Sequence, residues 1–202
     1  RADNSAKVTT QVSTVANRGE LKTRGLPVRL RAAPRTGELD SAGLGQLPRL
    51  PDTADEVLSI ASVLSANLTQ DVFLGRQANE DVLKATDLSR YKVIIFATHG
   101  LVPGDLDGLT QPALALSTQK ITGGKEDGLL TMGEIMGLKM DADWVVLSAC
   151  NTGSANGAGA EAVSGLGQAF FYAGTRALLV SNWPVETSSA KMLTTDLFRR
   201  QA

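Results

Sequence analysis

The sequence predicts an α/β domain in which helices flank a largely parallel sheet. Near-continuous apolar runs at 92–98, 143–149 and 175–183 are typical of strands that are buried on both faces. The segments before and between these runs carry apolar side chains at helical spacing. Strands that alternate with helices along a chain favour this layered architecture.

Local signals predict where several helices begin and end. Thr53 and Glu56 have the spacing of a capping box, in which a threonine and a glutamate satisfy the first turn of a helix. Thr131 and Glu134 repeat this spacing. Gly174 is a natural stop after the helix that precedes the third strand. The predicted helices cover residues 53–68, 78–88, 131–138, 160–174 and 186–200.

Residues 1–47 differ from the rest of the chain, because they contain no aromatic residue and no histidine. The alternating stretches 10–16 and 26–32 fit edge strands or a hairpin, and 33–48 has the Gly, Pro and polar composition of a linker. We therefore divide the chain into an N-terminal segment of strands and linker, 1–47, and one domain, 48–202. The start has no Met and no signal-peptide apolar region, which indicates a piece of a longer chain.

Composition and charge exclude several classes of partner and site. The chain has 20 basic and 21 acidic side chains, a net charge of −1, which gives no electrostatic attraction to nucleic acid or an anionic membrane. One cysteine cannot form an internal disulfide, and one histidine does not make a Cys/His zinc site. No apolar run approaches the roughly 18 residues of a membrane span. We expect no nucleic-acid or membrane contact, no metal, no cofactor and a cytoplasmic location.

The only histidine and the only cysteine each follow a predicted buried strand. His99 comes after 92–98, and Cys150 comes after 143–149. Because functional groups collect beyond the carboxyl ends of strands in an α/β sheet, both side chains reach one edge if the two strands are neighbours. The histidine precedes the cysteine by 51 residues, and in caspases this interval is about 50.

These two residue types suit nucleophilic catalysis at a carbonyl carbon. A thiolate is a strong nucleophile, and an imidazole transfers protons near neutral pH. The backbone N–H groups of Gly100 and Cys150 are candidate donors to the oxyanion. No carboxylate lies within three residues of His99 or Cys150, so we expect a dyad in which a backbone or polar group orients the imidazole. The alternative, non-catalytic interpretation is that Cys150 is a small buried thiol and His99 an unrelated imidazole.

Four sequence blocks resemble the CHAT domain, a caspase-like domain that is found with TPR repeats in bacteria and is related to caspases and separases. They are "LPDTADEV", "FATHG", "VVLSACNTG" and "GLGQAFFYAGTRALLVSNWPV". The resemblance covers about three quarters of the chain, from residue 48 onwards. It implies a caspase-like fold, a dyad of His99 and Cys150, a protein substrate, and a repeat or sensor region upstream in the full-length chain.

The candidate substrate pocket departs from the family pattern. After "WPV" the family often has a carboxylate two residues on, but here that position is Thr187, and Glu186 comes one residue earlier. The other position that we expect in the pocket, two residues before the cysteine, is Ser148, and Trp183 is expected at the rim. Hydroxyl groups do not offset a buried guanidinium charge, so a neutral residue is expected at the cleaved position unless Glu186 faces inward.

The sequence therefore predicts a cysteine endopeptidase that cleaves a specific protein. The alternative is a catalytically silent relative that binds a protein partner without cutting it. A nucleotide-binding domain is disfavoured, because neither "GLGQAF" nor "GSANGAGAE" completes a dinucleotide fingerprint after a strand. Asp105 and Asp107 only faintly resemble a calcium loop and are expected on the loop surface or the pocket rim.

Overall fold

The computed structural model of this chain describes residues 41–148, 158–180 and 187–200. Within these ranges the α/β class is confirmed, since helices lie on both faces of a parallel three-stranded sheet. The strands are β1 (Val93–Phe96), β2 (Gly100–Leu101), β3 (Ala113–Ala115), β4 (Leu129–Thr131), β5 (Trp144–Leu147) and β6 (Ala177–Val180).

Every predicted helix has a counterpart in the structure, with bounds that differ by a few residues. Short 3₁₀ helices occur at Ser41–Gln46, Gly75–Gln77 and Leu88–Arg90. The helices are α1 (Asp52–Val63), α2 (Glu80–Ala85), α3 (Gln119–Thr122), α4 (Met132–Met136), α5 (Ala158–Tyr172) and α6 (Thr187–Arg199).

The three predicted strands form the parallel sheet in the order β1-β5-β6. Phe96 lies opposite Leu147, which in turn lies opposite Val180, so the three carboxyl ends are level. The strands for His99 and Cys150 are therefore neighbours, as the shared-edge prediction requires.

Side chains alternate between two hydrophobic cores along each strand of the parallel sheet. In β5, Val145 and Leu147 pack on the face of α4 and α5, where the ring centroids of Phe96 and Phe170 are 5.6 Å apart. Val146 points to the opposite face, where α1 and α6 pack against each other. Because both faces are buried, the strands have the near-continuous apolar sequence that predicted them.

A second, antiparallel sheet of order β2-β3-β4 was not predicted. Its strands have two or three residues, which is shorter than any periodic pattern that identifies a strand. It carries a separate core in which Leu101, Leu109 and Leu129 are fully buried or nearly so. Leu44 and Leu47, from the end of the stretch interpreted as linker, are buried in the same region.

Of the two predicted capping boxes, one is confirmed and one is wrong. The Thr131 hydroxyl caps α4, and the Glu134 carboxylate accepts from the Thr131 backbone N–H at 2.9 Å. In contrast, α1 begins one residue before Thr53, whose hydroxyl donates to the Leu50 carbonyl at 2.7 Å. Glu56 therefore does not form a capping box at the start of α1, and its side chain lies fully buried instead.

Gly174 follows α5 as predicted. It has φ +108°, which side chains rarely adopt. A Cβ at this position would lie 2.2 Å from the Met140 carbonyl oxygen, so a larger residue does not fit without movement of the backbone. The glycine allows the turn from α5 into β6 to pass close to the chain that enters β5.

Candidate active site

His99 lies at the carboxyl end of β1, in the short connection to β2. The residue is buried, with only 5% of its surface exposed to solvent. Its Nε2 is 2.7 Å from the Pro48 carbonyl oxygen, which can only accept a hydrogen bond. The hydrogen of a neutral imidazole is therefore on Nε2, and Nδ1 is the nitrogen that accepts a proton. This contact agrees with the expectation that a backbone or polar group orients the imidazole, while the dyad itself stays a prediction.

The antiparallel sheet fixes the backbone of His99. The Ala115 N–H donates to the His99 carbonyl at 2.9 Å, and the Thr98 hydroxyl donates to the Ala115 carbonyl. Both hydrogen bonds join the end of β1 to β3, so the imidazole is held from the side chain and from the main chain.

The register of β2 and β3 sets the direction of the Gly100 N–H. His99 and Ala115 form a hydrogen-bonded position of the ladder, and the next pair, Gly100 and Leu114, is therefore a non-hydrogen-bonded pair. In such a pair the N–H groups point away from the partner strand. The Gly100 N–H thus points away from β3.

The other predicted site residues lie around the parallel sheet edge or outside the described ranges. Ser148 directly follows β5, beside the strand that carries His99. Thr187 begins α6. Cys150, Trp183 and Glu186 lie outside the described residues.

Ser148 is buried, and its hydroxyl donates to the Glu56 carboxylate at 2.7 Å. The Thr194 hydroxyl on α6 donates to the same oxygen, Oε1, at 3.2 Å. Glu56 was missed by sequence reasoning because it was assigned to a capping box. The signal that identifies it is its position four residues before the fully buried Ile60, on the apolar face of α1.

Asp105 is buried and so does not lie at the loop surface, one of the two places where it was expected. Its carboxylate accepts from the Val102 backbone N–H at 2.9 Å and closes the turn after β2. This bond offsets part of the free-energy cost of burial, because a buried carboxylate needs a hydrogen-bond donor nearby. Asp107, two residues later, is exposed.

Three carboxylates from distant segments approach one another around a lysine. Oxygens of Glu80, Glu126 and Glu134 lie within 4.8 Å of one another, the kind of group that can hold a metal ion. The Lys84 ammonium lies 3.2, 2.6 and 2.8 Å from them, respectively. The lysine therefore supplies a positive charge to these three carboxylates. Burial, and then the charge of Glu134, raise the pKa of Glu80 from 4.5 to about 7.

A cavity of about 820 Å³ lies beside His99. Its wall combines the apolar face of α1, strand β1 and the segment 71–79. This volume is within the usual range for sites that bind small molecules or side chains.

Comparison with known proteins identifies one family. The family model described as the CHAT domain matches residues 3–202. The match therefore extends into the segment before residue 48, and the division of the chain into 1–47 and 48–202 stays a prediction. No curated protein and no solved structure matches the chain. Among the described residues, no helix has the length and apolar character needed to cross a membrane.

Proposed function

Because the chain belongs to the CHAT domain family, a caspase-like peptidase family, we propose that it is a cysteine endopeptidase with Cys150 as nucleophile and His99 as general acid and base. The substrate is a specific protein. The observation that carries this proposal is the placement of His99: it lies beyond β1, next to the strand that leads to Cys150, with Nε2 bonded to the Pro48 carbonyl.

The tautomer of His99 assigns the proton transfers. The Cys150 thiol gives its proton to Nδ1, and the thiolate attacks the carbonyl carbon of the scissile peptide bond. The imidazolium then protonates the leaving amine, the C–N bond breaks and the amine departs, and the acyl group remains on Cys150 as a thioester. A water molecule, deprotonated by the same nitrogen, hydrolyses the thioester and restores the thiol. The Pro48 carbonyl keeps Nε2 protonated in both steps, so that the reacting nitrogen is always Nδ1.

The oxyanion is stabilised by the backbone N–H groups of Gly100 and Cys150. Support comes from the ladder register, which directs the Gly100 N–H away from β3. A donor held in this way needs no rearrangement when charge develops, and this gives oxyanion holes their effect.

We propose that the substrate pocket is lined by four residues, Ser148, Trp183, Glu186 and Thr187. We propose a neutral residue at the cleaved position, because Ser148 and Thr187, the two pocket positions where a carboxylate would select a basic residue, are hydroxyls here. A fluorogenic peptide library varied at that position tests this. A strong preference for arginine that disappears in Glu186→Gln would identify Glu186 as the selecting carboxylate.

Labelling of the single cysteine tests the peptidase directly. A peptidyl acyloxymethyl ketone requires a catalytic thiolate, whereas iodoacetamide requires only an accessible one. We expect stoichiometric ketone labelling of wild type by intact mass, none of Cys150→Ala, and a loss of about 100-fold or more in His99→Ala. Wild type that reacts with iodoacetamide but not with several such ketones would favour a protein-binding domain without catalysis.

A further inference from the structure

We infer that Glu56 is a positioning residue for Cys150 that acts through Ser148; this role rests on the proposed function. Glu56 is fully buried on α1, and the hydroxyls of Ser148 and Thr194 donate to its Oε1. The carboxylate thus joins the end of β5 to helices α1 and α6.

The alternation of β5 explains why these groups meet. Val146 faces the α1 and α6 side of the sheet, and Ser148, two residues later, continues on that face. A hydrophobic residue at 148 would extend the core beyond Val146. Instead the chain has a hydroxyl there, and a carboxylate on the facing helix accepts its hydrogen bond.

The burial of Glu56 makes this contact important. A buried carboxyl group is costly unless it is hydrogen-bonded. The 2.7 Å separation between the Ser148 and Glu56 oxygens is typical of an O–H···O hydrogen bond. Removal of the carboxylate leaves two buried hydroxyls without this acceptor, and the end of β5 loses its fixed position.

The contact lies where it can influence catalysis. Ser148 is two residues before Cys150, and Thr194 lies on the helix that follows the "WPV" block with its predicted pocket residues. One carboxylate therefore connects the segment before the nucleophile to the helix after the pocket. Misplacement of a nucleophile by about 1 Å can cost about 100-fold in rate, so a contact that fixes its strand has a kinetic effect.

Four variants of the 202-residue chain separate positioning from stability. Glu56→Met keeps the unbranched shape but has no acceptor, and Glu56→Gln keeps one carbonyl acceptor. Ser148→Ala and Thr194→Val each remove one hydroxyl from the same carboxylate. We expect peptidyl acyloxymethyl ketone labelling, measured below the melting temperature, to fall about tenfold or more in Glu56→Met and Ser148→Ala. It should fall less than about threefold in Thr194→Val and in Glu56→Gln.

Two further measurements test the route through Ser148. In the double variant Glu56→Met/Ser148→Ala, labelling should be no slower than in the worse single variant, because both remove the same connection. The pH profile of iodoacetamide labelling should move to higher pH in Glu56→Met, as the thiolate loses its alignment with His99. A purely structural role lowers the melting temperature but leaves this profile unchanged.

The outcomes distinguish this role from the peptidase itself. Wild-type labelling that all four variants retain contradicts the role of Glu56 and leaves the peptidase intact. Equal losses in Ser148→Ala and Thr194→Val contradict the route through Ser148. Absence of ketone labelling in wild type contradicts the peptidase and, with it, this role.

Discussion

Glu56 and Glu134 both follow a threonine by three residues near the start of a helix, but they have different environments. Glu134 accepts hydrogen bonds from the backbone and hydroxyl of Thr131 and contacts Lys84 at 2.8 Å. Glu56 contacts hydroxyls from β5 and α6 and is fully buried. One glutamate stabilises its own helix within an ionic cluster, and the other connects three elements through the hydroxyls of Ser148 and Thr194.

The difference comes from the register of each helix. Thr131 directly precedes α4, in the extended conformation of an N-cap residue, so the glutamate three residues later can reach back. At α1 the residue before the helix is Pro51, and Thr53 is already inside the first turn. Glu56 is then on the face that packs on the sheet, four residues before Ile60. A four-residue pattern thus indicates a capping box only when the helix begins directly after its first residue.

The largest expected effect concerns pH and the cluster around Glu134. The pKa of Glu80 is raised to about 7 in the folded state from 4.5, so this group stabilises the fold most below pH 4.5 and loses that contribution as pH rises through 7. The free energy of unfolding should therefore be about 2–3 kcal/mol higher at pH 5 than at pH 8 on account of Glu80. Glu80→Gln should remove this difference in urea titrations. Parallel curves for wild type and Glu80→Gln would contradict the ionic description of the cluster.

Removal of the central cation should be the next largest effect. Lys84→Met keeps the apolar stem but leaves Glu80, Glu126 and Glu134 without their shared ammonium. We expect a loss of about 2 kcal/mol in the free energy of unfolding at pH 8, below the value for a fully buried pair because Lys84 is 30% exposed. The loss should shrink at pH 5, where Glu80 is protonated.

Lys92→Met is the matched control for this prediction. Lys92 pairs with Asp141 at 2.8 Å, but both side chains are about half exposed, so water screens the pair. If urea titrations show equal losses for the two lysine variants, the cluster around Lys84 contributes no more than an ordinary surface ion pair.

The smallest effect tests the two threonines directly. Thr131→Ala removes the cap of α4 and should lower the free energy of unfolding by about 1 kcal/mol. Thr53→Ala removes only a hydrogen bond to the Leu50 carbonyl and should cost about half as much. Thr131→Ser should behave like wild type, because its hydroxyl caps equally well. A larger loss for Thr53→Ala than for Thr131→Ala would reverse the comparison between the helices.

Local patterns in the sequence were sufficient for much of the fold and part of the candidate site. The three parallel strands followed from apolar runs, because a strand that is buried on both faces needs apolar side chains throughout. The position of His99 at the end of a strand, and the pairing of this strand with the one that precedes Cys150, were also predicted and are confirmed. The contact of its imidazole with a backbone carbonyl agrees with the expected orientation by a backbone or polar group. These features depend on residues that are close in sequence or on general rules of α/β sheets.

Tertiary structure alone decided which distant groups meet. The Pro48 carbonyl reaches His99 across 51 residues, and Glu56 reaches Ser148 across 92. The antiparallel sheet that holds His99 is made of strands too short to leave a periodic pattern. In each case the partner is chosen by the packing of whole elements, and the free energy of a buried polar group depends on that partner rather than on its sequence neighbours. The sequence by itself therefore determined the layers and the strand ends, while the three-dimensional packing determined the hydrogen bonds that shape the candidate site.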